Sequence, residues 1–202
     1  MSRVRTPSLD MMSTTTSRRR ASAHDRLLAA ANELFYAEGI QTVGVDRIIE
    51  HAGVSRASFY NNFESKEQLI HTYLLGRHER TTGRLSQAIA REEGGRSRIL
   101  AVFDAQAEQL RQPGFNGCAF IAASTEAPTG GLIEQDAEEF RTWIRTMFTE
   151  LAEQAGASDP RRLGEQLHVL YDGTSLAVRM DHDPTIADAV KAAVIALVDA
   201  AT

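Results

Sequence analysis

Along this chain apolar residues recur at the three- and four-residue spacing of helix faces, and beyond His78 strand signals are absent. Ser22 is suited to cap a first helix, in which Leu27, Leu28, Ala31, Leu34 and Phe35 share a face that Gly39 ends. Val45, Ile48, Ile49 and Ala52 repeat over barely two turns before Gly53. Ser55 then caps a third short helix running through Ala57, Phe59 and Tyr60 to about Asn62. Ser65 with Gln68 three residues on is a capping-box pattern ahead of Leu69, Ile70, Tyr73 and Leu74. Further on, Ile99, Val102, Phe103, Gln106 and Leu110 mark a helix stopped by Pro113-Gly114, and Cys118 to Glu126 form a short apolar segment closed by Pro128. Phe140, Ile144, Met147, Phe148 and Leu151 mark the next helix, ended by Gly156. Leu163, Leu167, Leu170, Thr174 and Val178 follow from Asp159-Pro160, and Ile186, Val190, Val194 and Leu197 form the last stripe. The pattern predicts an all-α protein of about nine helices. Residues 1–20 carry no periodicity and read as a disordered basic arm around Arg18, Arg19 and Arg20, or simply as a solvated tail.

Composition narrows the classes. One cysteine in 202 residues excludes an internal disulfide framework and any Cys-rich zinc cluster. No apolar run approaches the ~18–20 residues of a membrane span, and the opening MSRVRTPSLDMMSTTTSRRR has no apolar core suited to a secretory signal. The reading is a cytoplasmic protein with no membrane partner, no cofactor and no metal; Met11 and Met12 leave a later natural start open. A net charge of -5 argues at first against nucleic acid. Its distribution argues otherwise, because Lys and Arg number 10 against 8 Asp and Glu up to His78, and 12 against 19 beyond it. Such asymmetry suggests two segments with different partners.

The informative stretch is TVGVDRIIEHAGVSRASFYNNFESKEQLI, residues 42–70. Two short helices meeting at a glycine turn bury too little area alone and need the first helix as a third wall. A helix-turn-helix meets that need and frees its outer helix for the DNA major groove. Ser55, Arg56, Ser58, Tyr60, Asn61 and Asn62 carry donors or acceptors, Ala57 permits close approach, and Phe59 and Phe63 can anchor inward. AGVSRASFYNNFESKEQL, with Gly39 and Ile48-Ile49, resembles the signature of the TetR family of bacterial transcriptional regulators over residues 22–81. The resemblance implies a DNA-binding unit over 21–81 and an effector-binding and dimerisation region over 82–202. It places Ser55, Tyr60 and Lys66 at phosphate-holding positions, and Arg56, Ala57, Ser58 and Asn61 where base edges are read. In this sequence Asn62 stands where a histidine is common. Gly44 stands where Ser or Thr usually caps the second helix, so a phosphate contact made there is missing or moved to Thr42. Gly117-Cys118-Ala119-Phe120 and Leu170-Tyr171-Asp172-Gly173 are similar, more weakly, to segments of some members of the family.

Beyond residue 82 the expectations are broader. An effector cavity would be lined by residues among Phe103, Gln106, Leu110, Phe115, Phe120, Trp143, Met147, His168 and Tyr171, a mix that suggests an apolar or aromatic small molecule. A homodimer would use Leu163, Leu167, Leu170 and Val178 with Ile186, Val190, Val194 and Leu197, unless both stripes pack within one subunit. Cys118 has two readings, an electrophile or redox sensor and simple packing; its apolar neighbours, with no Lys or Arg within five residues, favour packing. The function expected is a ligand-released repressor binding a palindromic operator as a homodimer. The alternatives are an activator or ligand-independent regulator of the same fold, a helical interaction module, and a small enzyme using His168 and Asp172, whose i, i+4 spacing puts them on one helix face.

Overall fold

A computed structural model describes residues 21–202, and among them it holds nine α-helices and no strand. They are α1 (Ala23–Glu38), α2 (Val45–Ala52), α3 (Arg56–Asn62), α4 (Lys66–Ala90), α5 (Gly95–Leu110), α6 (Ala119–Glu126), α7 (Leu132–Gln154), α8 (Pro160–Asp181) and α9 (Ile186–Ala201). The arm expected over residues 1–20 lies outside the described residues. Among the described residues no helix is long and apolar enough to cross a membrane.

Helix starts follow local chemistry. The Ser22 hydroxyl accepts from the Asp25 N–H at 3.1 Å, and the Asp25 carboxylate accepts from the Ser22 N–H at 3.3 Å. Ser55, Ser65 and Asp159 likewise accept from Ser58, Gln68 and Arg162, each relieving one N–H that the helix itself leaves unpaired. Gly44 gives α2 no side-chain cap.

Helices α1, α2 and α3 pack with the start of α4, while α7 lies along α8 and α5 packs against α4, α7 and α9. One apolar core runs through both groups, from Leu27 and Phe59 to Phe148, Leu167 and Val198. The division expected after residue 81 falls inside α4, which is unbroken for 25 residues and serves both groups. Tyr73 marks the joint: it is 1% exposed, meets the Phe35 ring edge-on at 5.6 Å, and burial pushes its hydroxyl pKa up to about 12.

Helix α5 approaches the end of α7 so closely that a Cβ at Gly95 would lie 2.1 Å from the Ala155 nitrogen. Backbone cannot step aside as a side chain can. By contrast, nothing lies within 4 Å of the Cβ position at Gly83, inside α4. Gly95→Ala is therefore expected to destabilise the fold by about 2 kcal/mol or more, and Gly83→Ala to stabilise it by roughly 0.5–1 kcal/mol. Urea unfolding followed by circular dichroism checks both; equal effects would contradict the packing described.

Candidate functional site

The α2–α3 turn is built on Gly53, which takes the left-handed conformation at φ +61°. There its N–H donates to the Glu50 carbonyl and the Val54 N–H donates to Ile49, so the end of α2 is closed by its own turn. Arg26 of α1 fixes this turn from behind, donating to the carbonyls of Ala52 at 3.3 Å and Gly53 at 2.8 Å. Phe59 and Phe63 are buried, so α3 is held by its aromatic side and its opposite side faces outward.

Most of the residues expected from sequence to contact DNA lie at the surface. Thr42, Ser55, Arg56, Ala57, Tyr60, Asn61 and Asn62 are exposed, while Ser58 and Lys66 are half-buried. Tyr60 is 51% exposed, its ring set edge-on against Phe59 at 5.2 Å, which fixes the direction of the hydroxyl. The Ser55 oxygen is occupied as a cap acceptor, but its own proton remains free to donate. Asn62 donates to the Ser58 carbonyl at 2.7 Å. Lys66 donates to the Gln41 carbonyl at 3.3 Å, which ties the start of α4 to the loop carrying Thr42. Burial draws the Lys66 pKa down and Glu126 partly restores it. Arg56 is paired with Asp46 of α2, and Arg47 with Glu38 at 2.7 Å. Between residues 21 and 78 there are five Lys and Arg against seven Asp and Glu, so this face is polar without being basic overall.

The same helices meet the rest of the molecule through polar contacts at the end of α1. The Tyr36 hydroxyl donates to the Gly117 carbonyl at 3.1 Å and accepts from the Asn116 N–H at 2.9 Å. The Asn116 side chain donates to the Tyr36 carbonyl at 2.6 Å. At the far end of α6, the Glu126 carboxylate accepts from the Gln41 N–H at 2.8 Å. His71 of α4 lies 2.8 Å from Asp136 of α7, completing a ring of contacts between the two groups.

Two cavities adjoin this junction. One of about 370 Å³ lies between the end of α1, the α5–α6 loop, α6 and α8. A second, of about 230 Å³, lies between α4, α5, α6 and α8, and the two share Tyr36, Gly117, Cys118, Ala119 and Ser175. Of the residues expected to line a cavity, Gln106, Leu110, Phe115, Phe120 and Tyr171 border the second. The other four are placed elsewhere. Phe103 packs against Phe148 and Tyr171, Trp143 and Met147 border an outer groove with Ser86 and Arg98, and His168 is turned to Asp172. Sequence reading missed Tyr36, Ser175 and the arginines Arg77, Arg80 and Arg84; the i, i+3, i+7 spacing of those arginines on α4 was the available signal.

Cys118 borders both cavities, and burial pushes its thiol pKa up, the opposite of an activated thiolate. His168 lies 3.3 Å from Asp172, which Arg141 also holds. Burial raises the Asp172 pKa, but the neighbouring His168 and Arg141 outweigh it and leave the carboxyl below its usual range. Neither His168 nor Asp172 borders the two cavities. Among the described residues no group of three or more His, Cys, Asp or Glu is placed to hold a metal ion.

The stripes expected at a dimer contact divide. Leu163, Leu167, Val178 and Val194 are buried inside the single chain, so these side chains are not available to a second copy, while Leu170, Ile186, Val190 and Leu197 are half-buried. The apolar side chains that α8 leaves outside are Val169, Leu176 and Met180, exposed by 71%, 49% and 69%.

Comparison with known proteins agrees with this geometry. A family profile described as "Bacterial regulatory proteins, tetR family" matches residues 27–73. The crystal structure of a TetR-family transcriptional regulator from Streptomyces coelicolor superposes with a TM-score of 0.85 at 31% identity, over 89% of this chain and 95% of that one. Among curated proteins, the HTH-type transcriptional repressor NemR of Escherichia coli is 31% identical over 104 residues, 50% of this chain and 52% of its own length. The HTH-type transcriptional activator FasR of Mycolicibacterium smegmatis is 32% identical over 80 residues, 40% of this chain and 36% of its own. The matches thus span about half of NemR or less than half of FasR.

Arg26 offers a direct check on how the turn is held. Arg26→Met keeps the stem and removes both carbonyl contacts, and is expected to cost about 1 kcal/mol. Hydrogen exchange should quicken in α2 and α3 and stay unchanged in α7 and α8; uniform quickening would show that Arg26 acts on the whole fold.

Proposed function

The chain belongs to the TetR family of bacterial DNA-binding regulators, and from that premise we propose that it represses transcription as a homodimer on a palindromic operator and leaves it when a small molecule enters the cavities. Each α3 lies in the major groove. Ser55, Tyr60 and Lys66 hold phosphates, helped by the free N–H groups at the start of α4, and Thr42 adds a contact from the loop. Arg56, Ala57, Ser58 and Asn61 read base edges, and Asn62 borders them. Arg56 suits a bidentate contact to guanine once it exchanges Asp46 for the base, a contact worth about 1–3 kcal/mol of discrimination. A dimer is needed because one seven-residue helix spans only a few base pairs; two copies read half-sites about one turn, ~34–36 Å, apart. Val169, Leu176 and Met180 supply the apolar surface for that pairing, with Leu170, Val190 and Leu197 beside them.

The observation that carries the release step is the hydrogen bonding of Tyr36 to Asn116 and Gly117, residues that line the first cavity. A ligand that displaces the α5–α6 loop acts directly on the end of α1, and through Tyr73 and Lys66 on α4. Binding shifts the population toward a dimer whose α3 helices no longer match the operator spacing. Repression is read from the longer match to NemR, a repressor by name.

Operator sequence is obtained by selecting duplexes from a random pool. Tyr60→Ala is expected to weaken binding to the selected duplex by about tenfold or more at unchanged helicity, with log affinity falling linearly against log salt. Binding unaffected by Tyr60→Ala or by salt would overturn the interface. Met180→Glu is expected to convert the dimer to monomer in sedimentation velocity and weaken operator binding with it; a dimer that persists would place the contact elsewhere. A reporter silenced by the protein supports repression, and one raised by it assigns activation instead.

A further inference from the structure

The second cavity carries a chemistry of its own. Its α4 wall presents Arg77, Arg80 and Arg84, and no Asp or Glu borders it. Among the described residues these three arginines make no salt bridge. Their partners are neutral: Arg77 lies 3.9 Å over the Tyr36 ring, Arg80 donates to Asn32 at 2.8 Å, and Arg84 donates to Gln109 at 3.1 Å. Polar valence is left over inside the protein. The Nε atoms of Arg77 and Arg84 and the Oε1 atom of Gln106 are buried without a hydrogen-bond partner, and Gln106 is only 3% exposed. Gln106 is not free to turn, since its amide donates to the Tyr171 carbonyl at 2.7 Å and to Ser175 at 3.1 Å. Burial and then the neighbouring Arg77 charge draw the Arg80 pKa down, and Tyr73 and the Glu79 carboxylate partly restore it.

Unpaired buried donors are costly, and Arg77 and Arg84 are half-buried with neutral partners only, whereas Arg80 is exposed, so a bound anion would compensate the charge on this wall. The lining also has an apolar part, with Phe115, Phe120 and Phe140. We propose that this cavity binds a small organic acid, its carboxylate held by the arginine row of α4 with Arg84 as principal contact, and its hydrocarbon body set against the phenylalanines. The free Gln106 oxygen suits a ligand that also carries a hydroxyl or N–H. At about 230 Å³ the space falls below the roughly 300 Å³ where pockets for drug-sized ligands begin, which selects compact acids. This adds a carboxylate to the apolar or aromatic effector expected from sequence, and it rests on the reading of the protein as a ligand-released regulator.

The test uses full-length protein without DNA and matched pairs of probes: benzoate, 3-hydroxybenzoate, phenylacetate and hexanoate, each against its primary amide. Binding is read by thermal shift and by the fluorescence of Trp143, the one tryptophan, whose ring lies 5.9 Å from Phe140. At least one acid is expected to bind, with its amide weaker by about tenfold or more. Arg84→Met should remove that preference and Arg84→Lys should keep part of it, while Arg145→Gln, an exposed change on α7, should leave binding intact. Because Arg84→Lys retains charge and stem, it remains informative if Arg84→Met fails to fold. Amides that match their acids, or acids that fail to bind, overturn the proposal. DNA release is scored separately. Acids that bind without releasing operator leave the anion site standing and overturn only the release reading; release by a neutral compound with no acid bound does the reverse.

Discussion

An α-helix leaves its last carbonyl groups without partners, and in this protein that requirement joins the two halves. At the end of α1, the Tyr36 carbonyl is satisfied by Asn116 from the α5–α6 loop, and the Gln41 N–H in the following turn by Glu126 from α6. The end of α1 and the turn after it are therefore completed by residues of the other group. The apolar core, continuous through Phe35 and Tyr73, reinforces this closure. A change in the α5–α6 loop cannot be confined to the loop, because the same atoms terminate a helix on the far side.

Residues that read as local chemistry were legible from sequence. Ser22, Ser55, Ser65 and Asp159 cap helices because a hydroxyl or carboxylate three residues ahead of an N–H needs no distant partner. The outward face of α3 was legible for the same reason, with Phe59 and Phe63 settling which side is buried. What sequence concealed depends on distant folding. Arginines on a helix read as solvated, and Arg77 and Arg84 become half-buried only because α5, α6 and α8 close over that face of α4. Helix α8 superposes two apolar faces in one segment. Leu163, Leu167 and Val178 face inward and Val169, Leu176 and Met180 outward, and spacing alone does not rank them. The boundary drawn after residue 81 falls within α4 because that helix packs with both groups around one continuous core.

The acidic balance of the chain acquires a structural meaning. In residues 21–78 the acids outnumber the bases, and two of the bases, Arg47 and Arg56, are already paired with acids of the same unit. In the proposed function this balance leaves nonspecific attraction to DNA weak, and recognition would rest on a few directed donors. By contrast, Arg77 and Arg84 of α4 are half-buried beside the second cavity, where the proposed ligand is a small anion and not a polymer of phosphates.

The pairing of Arg56 with Asp46 carries a consequence for selectivity. In the free protein the guanidinium already has an anion, so in the proposed complex a base would gain only the difference between the two contacts. At a wrong base pair the arginine can simply stay with its aspartate, and the complex loses little beyond the missing contact. Both partners are exposed, at 60% and 78%, so dissolved salt screens their attraction while it also weakens the phosphate contacts. As salt rises, overall hold on DNA declines while the internal competitor for Arg56 declines with it. In the proposed complex, stringency at that base pair would thereby be partly uncoupled from affinity.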